Sequence, residues 1–133
     1  MKKIINVLVV ISSITVLLLG IKNMFFPSET TELYGIDLKG VLIHNTFRGA
    51  ISGTLVGIGL MLLMGLFTKN KTWYHSTILL TSVVLFGRIY SIIIDGWSDA
   101  IMPPLVVEIF IIVVLYFAAK QNSNPSSNSN DNQ

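Results

Sequence analysis

The 133-residue sequence contains no cysteine. Disulfides, thiolate catalysis and cysteine-ligated metals are thereby excluded, and compartment cannot be read from redox chemistry. Charge is also scarce: 12% of residues are Asp, Glu, Lys or Arg, and the formal net charge is +2. No basic run exceeds the Lys2–Lys3 pair, so the electrostatic footprint of a nucleic-acid binder is missing and no such partner is expected. Glycine-rich phosphate loops, His-Glu-x-x-His pairs and nucleophile elbows are missing too, so neither a cofactor nor a metal is expected. There are only two arginines, Arg48 and Arg88.

What the chain does have is apolar length. Hydrophobic residues make up 52% of it, more than a soluble domain of this size could cover with its polar surface. Four runs, Ile4–Ile21, Arg48–Phe67, Tyr74–Ile94 and Ile101–Ala119, reach the roughly 17–25 residues that cross a bilayer. The first follows two lysines, as a signal peptide would. It is longer than a usual signal core, however, and Gly20-Ile21-Lys22 makes a poor cleavage site, so a retained helix is expected. The expected fold is therefore all-α, an integral membrane antiparallel four-helix bundle. Its single domain would cover residues 1–120, with helices at about 4–21, 48–67, 74–94 and 101–119 and an outer loop at 22–47. A disordered polar tail is expected over 121–133, which is Asn, Ser, Gln, Asp and one Pro.

Lysines give the orientation. Lys2, Lys3, Lys69, Lys71 and Lys120 fall on one side of these spans, and only Lys22 and Lys39 on the other. The positive-inside rule puts both termini and the 68–72 turn in the cytoplasm. The outer segments then hold Glu29, Glu32, Asp37 and Asp95, while Trp73, Tyr74 and Tyr116 mark the inner interface and Trp97 the outer one. In this topology His44 and His75 lie on opposite sides, so they cannot share a metal; each reads as an interfacial histidine.

Within the outer loop, Ser28 to Gly35 reads as a short helical turn ending at glycine, with Ser28 or Thr31 as cap. Gly49, Gly53 and Gly57 recur at four-residue spacing, with Ala50 and Gly59 nearby. Small residues let helices approach closely in lipid, so this stripe is expected to pack within the bundle rather than form a dimer interface. Pro103-Pro104 opens the fourth helix, with Ser98 or Asp99 as cap.

Three charges lie against or inside the apolar runs: Arg48, Arg88 and Glu108. A charge at a helix centre costs roughly 2.5–3.5 kcal/mol even on the lowest scales, so it calls for a partner. Counting at ~1.5 Å per residue puts Arg88 and Glu108 each ~10 Å below the outer boundary, with Arg48 shallower. Thr81, Arg88, Ser91 and Asp95 share one helical stripe, and His44, Asn45, Arg48 and Ser52 another. Glu108 has no polar companion on its own helix. Arg88 is its first expected partner and Arg48 its second, because a guanidinium fork meets a carboxylate through two parallel bonds. If Asp95 turns inward, the four charges balance. If it does not, the centre is net positive and suits a phosphate or carboxylate.

Pro27…Tyr34-Gly35, Asn45-Thr-Phe-Arg48-Gly49, Gly87-Arg88-Ile-Tyr-Ser91 with Asp95-Gly96, and Glu108 together resemble the DUF4345 family of small bacterial four-helix membrane proteins. The resemblance covers nearly everything but the polar tail. It implies fold and motif but brings no biochemical activity with it. In layout alone the chain also looks like DoxX-type four-helix proteins.

These readings point to a non-enzymatic protein of the bacterial inner membrane. Its polar centre of Arg48, Arg88, Glu108, Asp95, Ser91 and Asn45 would bind a small ligand or lipid, support a membrane-protein partner, or simply fix helix order as an ion-pair network. The alternative is a small membrane enzyme or carrier that moves protons through Glu108 and Asp95.

Overall fold

The computed structural model describes residues 2–122 apart from Tyr34, Ile36 and Leu38. Among the described residues there is no strand. The elements in order are α1 (Lys2–Phe25), α2 (Pro27–Leu33), α3 (Val41–Thr46), a π-helical stretch (Phe47–Ser52), α4 (Gly53–Thr68), α5 (Lys71–Asp95), a 3-10 turn (Asp99–Ile101) and α6 (Met102–Asn122). Four helices are long and apolar enough to cross a membrane: Lys3–Phe25, Val41–Thr68, Lys71–Asp95 and Asp99–Gln121.

The outer loop expected at 22–47 is mostly helix. Lys22 does not end α1, because its charge is met by Glu29 at 3.0 Å and the chain runs on to Phe25. Asn23, buried on α1, accepts from the Thr30 hydroxyl at 2.6 Å, which ties α2 back against the end of α1. Thr31 does not cap α2; its hydroxyl donates to the Pro27 and Ser28 carbonyls inside the helix. Gly35, with φ +66°, donates its amide to the Glu32 carbonyl where the helix ends. Tyr34 and residues 123–133, most of the expected polar tail, lie outside the described residues.

The second long helix begins at Val41, not Arg48. Between Phe47 and Ser52 it widens by one residue per turn, and the buried Ser52 hydroxyl donates to the Phe47 carbonyl five residues back, at 3.1 Å. The turn before α5 is closed by Lys69 at φ 52° and by Asn70, whose side chain accepts from the Thr72 amide. Neither Ser98 nor Asp99 caps the last helix as expected. Instead Asp99 accepts from the Trp97 indole at 3.2 Å, and the 3-10 turn leads into α6.

The long helices pack in the cyclic order α1, α4, α5, α6. Glycines make the close approaches, but of the small residues expected to do so on the second long helix only Gly59 does. A Cβ on Gly59 would lie 3.0 Å from the Leu17 backbone nitrogen, one on Gly20 would lie 2.7 Å from that of Val56, and one on Gly65 would strike the Tyr74 ring. By contrast, a Cβ on Gly49 or Gly57 would meet nothing within 4 Å, and one on Gly53 only the Arg48 carbonyl oxygen. The Gly49–Gly53–Gly57 stripe therefore does not pack within the bundle. Its spacing matched that of a contact stripe, but α4 turns Gly59 and Gly65 inward instead.

The apolar core is concentrated toward the 69–70 turn. Val9, Leu62, Tyr74, Leu115, Ala118 and Ala119 are all buried there. On α5 the buried residues are Tyr74, Thr77 and Thr81, all in its first half. Beyond Thr81 no residue of α5 is fully buried. At this thinly packed end stands the pair Arg88–Glu108.

Candidate functional site

Arg88 on α5 and Glu108 on α6 meet through a two-pronged contact. Nη2 donates to Oε1 at 2.8 Å and Nε donates to Oε2 at 3.2 Å. The side chains are 28% and 14% exposed, so the pair is half-buried rather than sealed. Local geometry explains why the two meet. Gly96, at φ +95°, stops α5 just past Asp95, and the chain returns through a short turn into α6. Residues at like distances from that turn come to like depth, and the planar fork needs only two facing carboxylate oxygens.

The other residues of the expected centre do not join this pair. Ser91 donates to Asp95 at 2.7 Å, one turn along α5, and Asp95 is exposed. Asp95 therefore neither neutralises a shared network nor approaches Glu108. Arg48 is exposed and has no hydrogen-bonded or ionic partner among the described residues, and Asn45 is exposed as well. Ser52, expected to share their stripe, is fully buried against α1. The π-helical turn is the reason: it changes the angular step between residues 47 and 52, so a stripe counted at 3.6 residues per turn breaks there. The four-charge centre thus reduces to one ion pair, with Arg48 apart from it. His44 is half-buried and His75 exposed. No group of three His, Asp or Glu able to hold a metal occurs among the described residues.

Beside Ser52 and Thr81, two hydroxyls not expected from the sequence line the interior, Ser13 and Thr77. Ser13, fully buried on α1, donates to the Gly59 carbonyl at 3.0 Å, and Thr77 donates to the Trp73 carbonyl at 2.9 Å. Adjacent serines at 12 and 13, inside the first apolar run, were the visible signal. Thr81, 2% exposed, has the one buried side-chain oxygen without a partner among the described residues. An unpaired buried hydroxyl costs about 1–3 kcal/mol. Thr81→Val, nearly isosteric, is expected to raise the melting temperature in detergent; a lower one would mean that the hydroxyl is satisfied.

A family model described as a domain of unknown function, DUF4345, matches residues 4–119. The chain belongs to the DUF4345 family. The match takes in all four long helices of this DUF4345 protein together with Arg48, Arg88 and Glu108. No curated protein and no solved structure matches it.

Proposed function

We propose that this DUF4345 protein is a non-enzymatic, multi-pass protein of the bacterial cytoplasmic membrane. Its four long helices span the bilayer as an antiparallel bundle with both termini on the cytoplasmic side. The Arg88–Glu108 pair locks α5 to α6 where apolar packing is thin, holding a surface for lipid or for a membrane-protein partner. The observation that carries the reading is the outward face of the bundle. Large apolar side chains are exposed on every long helix, among them Leu18, Leu60, Phe67, Leu79, Phe86, Ile93, Phe110 and Val113. Such a surface is untenable in water over this extent and natural in lipid. Lysine placement supports the orientation.

Proton transfer through Glu108 and Asp95 is not favoured by this arrangement. Glu108 accepts two bonds from a guanidinium that cannot deprotonate, and Asp95 is engaged by Ser91. The pair is better suited to fixing register than to moving a proton.

Topology reporters test the reading. A reporter fused after Asn70 is expected to read cytoplasmic, and one after Asp37 external. Reversed signals would overturn the orientation, and protein recovered free of membranes would overturn the spanning arrangement.

A further inference from the structure

With Arg88 answered by Glu108, Arg48 is the cation inside a long apolar helix that has no carboxylate partner among the described residues. Lys22 pairs with Glu29, Lys39 pairs with Asp37, Lys69 lies in the turn before α5, and Lys3, Lys71 and Lys120 sit at the ends of the long helices. Arg48 is different. It lies about two turns inside the helix Val41–Thr68 and carries no bond to any described residue. Exposed Val41, Leu42, Ile43 and Ile51 give the helix apolar surface on either side of it, with His44, Asn45 and Thr46 in the turn between. Exposed Asn45, one turn nearer the helix start, adds an amide that can donate. Farther along the helix, a Cβ on Gly49 or Gly57 would meet nothing within 4 Å among the described residues.

A guanidinium held two turns into an apolar helix surface has two ways to keep its charge solvated: it reaches back to water, or it takes an anion from its surroundings. Its fork suits phosphate oxygens, which it meets through two bonds, and phosphate is the anion that lipid offers at this depth. We propose that Arg48, aided by Asn45, binds the phosphate of an anionic phospholipid lying against the Val41–Thr68 helix. The proposal rests on the membrane-spanning reading above. Charge complementarity selects the occupant: the face offers one unpaired cation near the helix end and apolar surface on both sides of it. An acidic residue of a partner helix could meet the same cation, but only a lipid supplies the anion and the apolar chains together. Arg88 is not an equal candidate, because a phosphate there would have to displace Glu108.

Native mass spectrometry of the full chain in detergent tests this, using protein extracted from carbonate-washed membranes. Phosphatidylglycerol is titrated against wild type, Arg48→Leu, Arg48→Gln and Arg48→Lys, with phosphatidylcholine and free glycerol phosphate as parallel probes. Wild type is expected to hold phosphatidylglycerol about fivefold more tightly than Arg48→Leu or Arg48→Gln, the worth of one arginine near an anionic surface. Arg48→Lys is expected to fall between. Because the Arg48 side chain bonds to no described residue, all variants should melt like wild type. Equal retention by wild type and Arg48→Leu would overturn the site. So would equal preference for phosphatidylcholine, or free glycerol phosphate binding as well as the lipid does. An Arg48-dependent protein complex that forms without any change in lipid retention would assign the cation to a partner helix and also overturn it. Absence of the protein from washed membranes would overturn the spanning reading, and this site with it.

Discussion

Arg88→Leu is expected to destabilise the protein by about 2–4 kcal/mol in a detergent melt, the loss that follows when one member of a poorly solvated pair is removed. The cost comes mainly from Glu108. Its carboxylate, 14% exposed, would be left on α6 with no polar neighbour of its own. Glu108→Leu should cost less, since Arg88 is more exposed and its long stem lets the guanidinium reach toward the open end of α5. The double variant Arg88→Leu/Glu108→Leu should recover more than half of the Arg88→Leu loss, because it strands no charge and adds apolar contact between α5 and α6. Additive single losses would show that the pair contributes nothing to holding these helices. Arg88→Lys should fall between wild type and Arg88→Leu, because an ammonium keeps the charge but not the two parallel bonds.

The second large effect is a contrast between two glycines of α4 that look alike in sequence. Gly59→Ala puts a Cβ 2.9–3.1 Å from the Leu17 Cβ, nitrogen and Cα, and the backbone atoms among them cannot turn away. α1 must move off α4, which also stretches the bond from Ser13 to the Gly59 carbonyl. Overpacking of this kind costs about 1–3 kcal/mol. Gly57→Ala meets nothing within 4 Å and should gain about 0.5–1 kcal/mol from the better helix former. Thermal melts of the two variants should therefore move in opposite directions. A destabilising Gly57→Ala would mean that the open stripe is covered, most simply by a second copy of the chain.

These two contrasts show where sequence reading reaches and where it stops. The apolar runs were legible because spanning length depends on composition alone, and each lies within one of the four long helices. The closeness of Arg88 and Glu108 was legible for a related reason. They lie nine residues before and eleven residues after Trp97, the middle of the turn between the two helices, and a helical hairpin brings such residues to similar depth whatever the packing. Rotation about each helix axis was not legible. In a run apolar on every side, the 3.6-residue pattern carries little contrast between inner and outer faces. Gly49, Gly53 and Gly57 therefore looked like a contact stripe while Gly59, Gly65 and Gly20 made the contacts.

The π-helical turn was equally hidden, since a hydrogen-bond register shifted by one residue over Phe47–Ser52 leaves no compositional mark. That turn separates Arg48 from Ser52 and leaves the arginine exposed on the outer face of the helix. Taken by itself, then, the sequence determined the number of long apolar helices and the depth of the charges along them, because both depend only on distance along the chain. The tertiary structure decided which face of each helix turned inward, which arginine found a carboxylate and which was left free. Those outcomes depend on close contacts between helices, and in an almost uniformly apolar chain only packing tells one face from another.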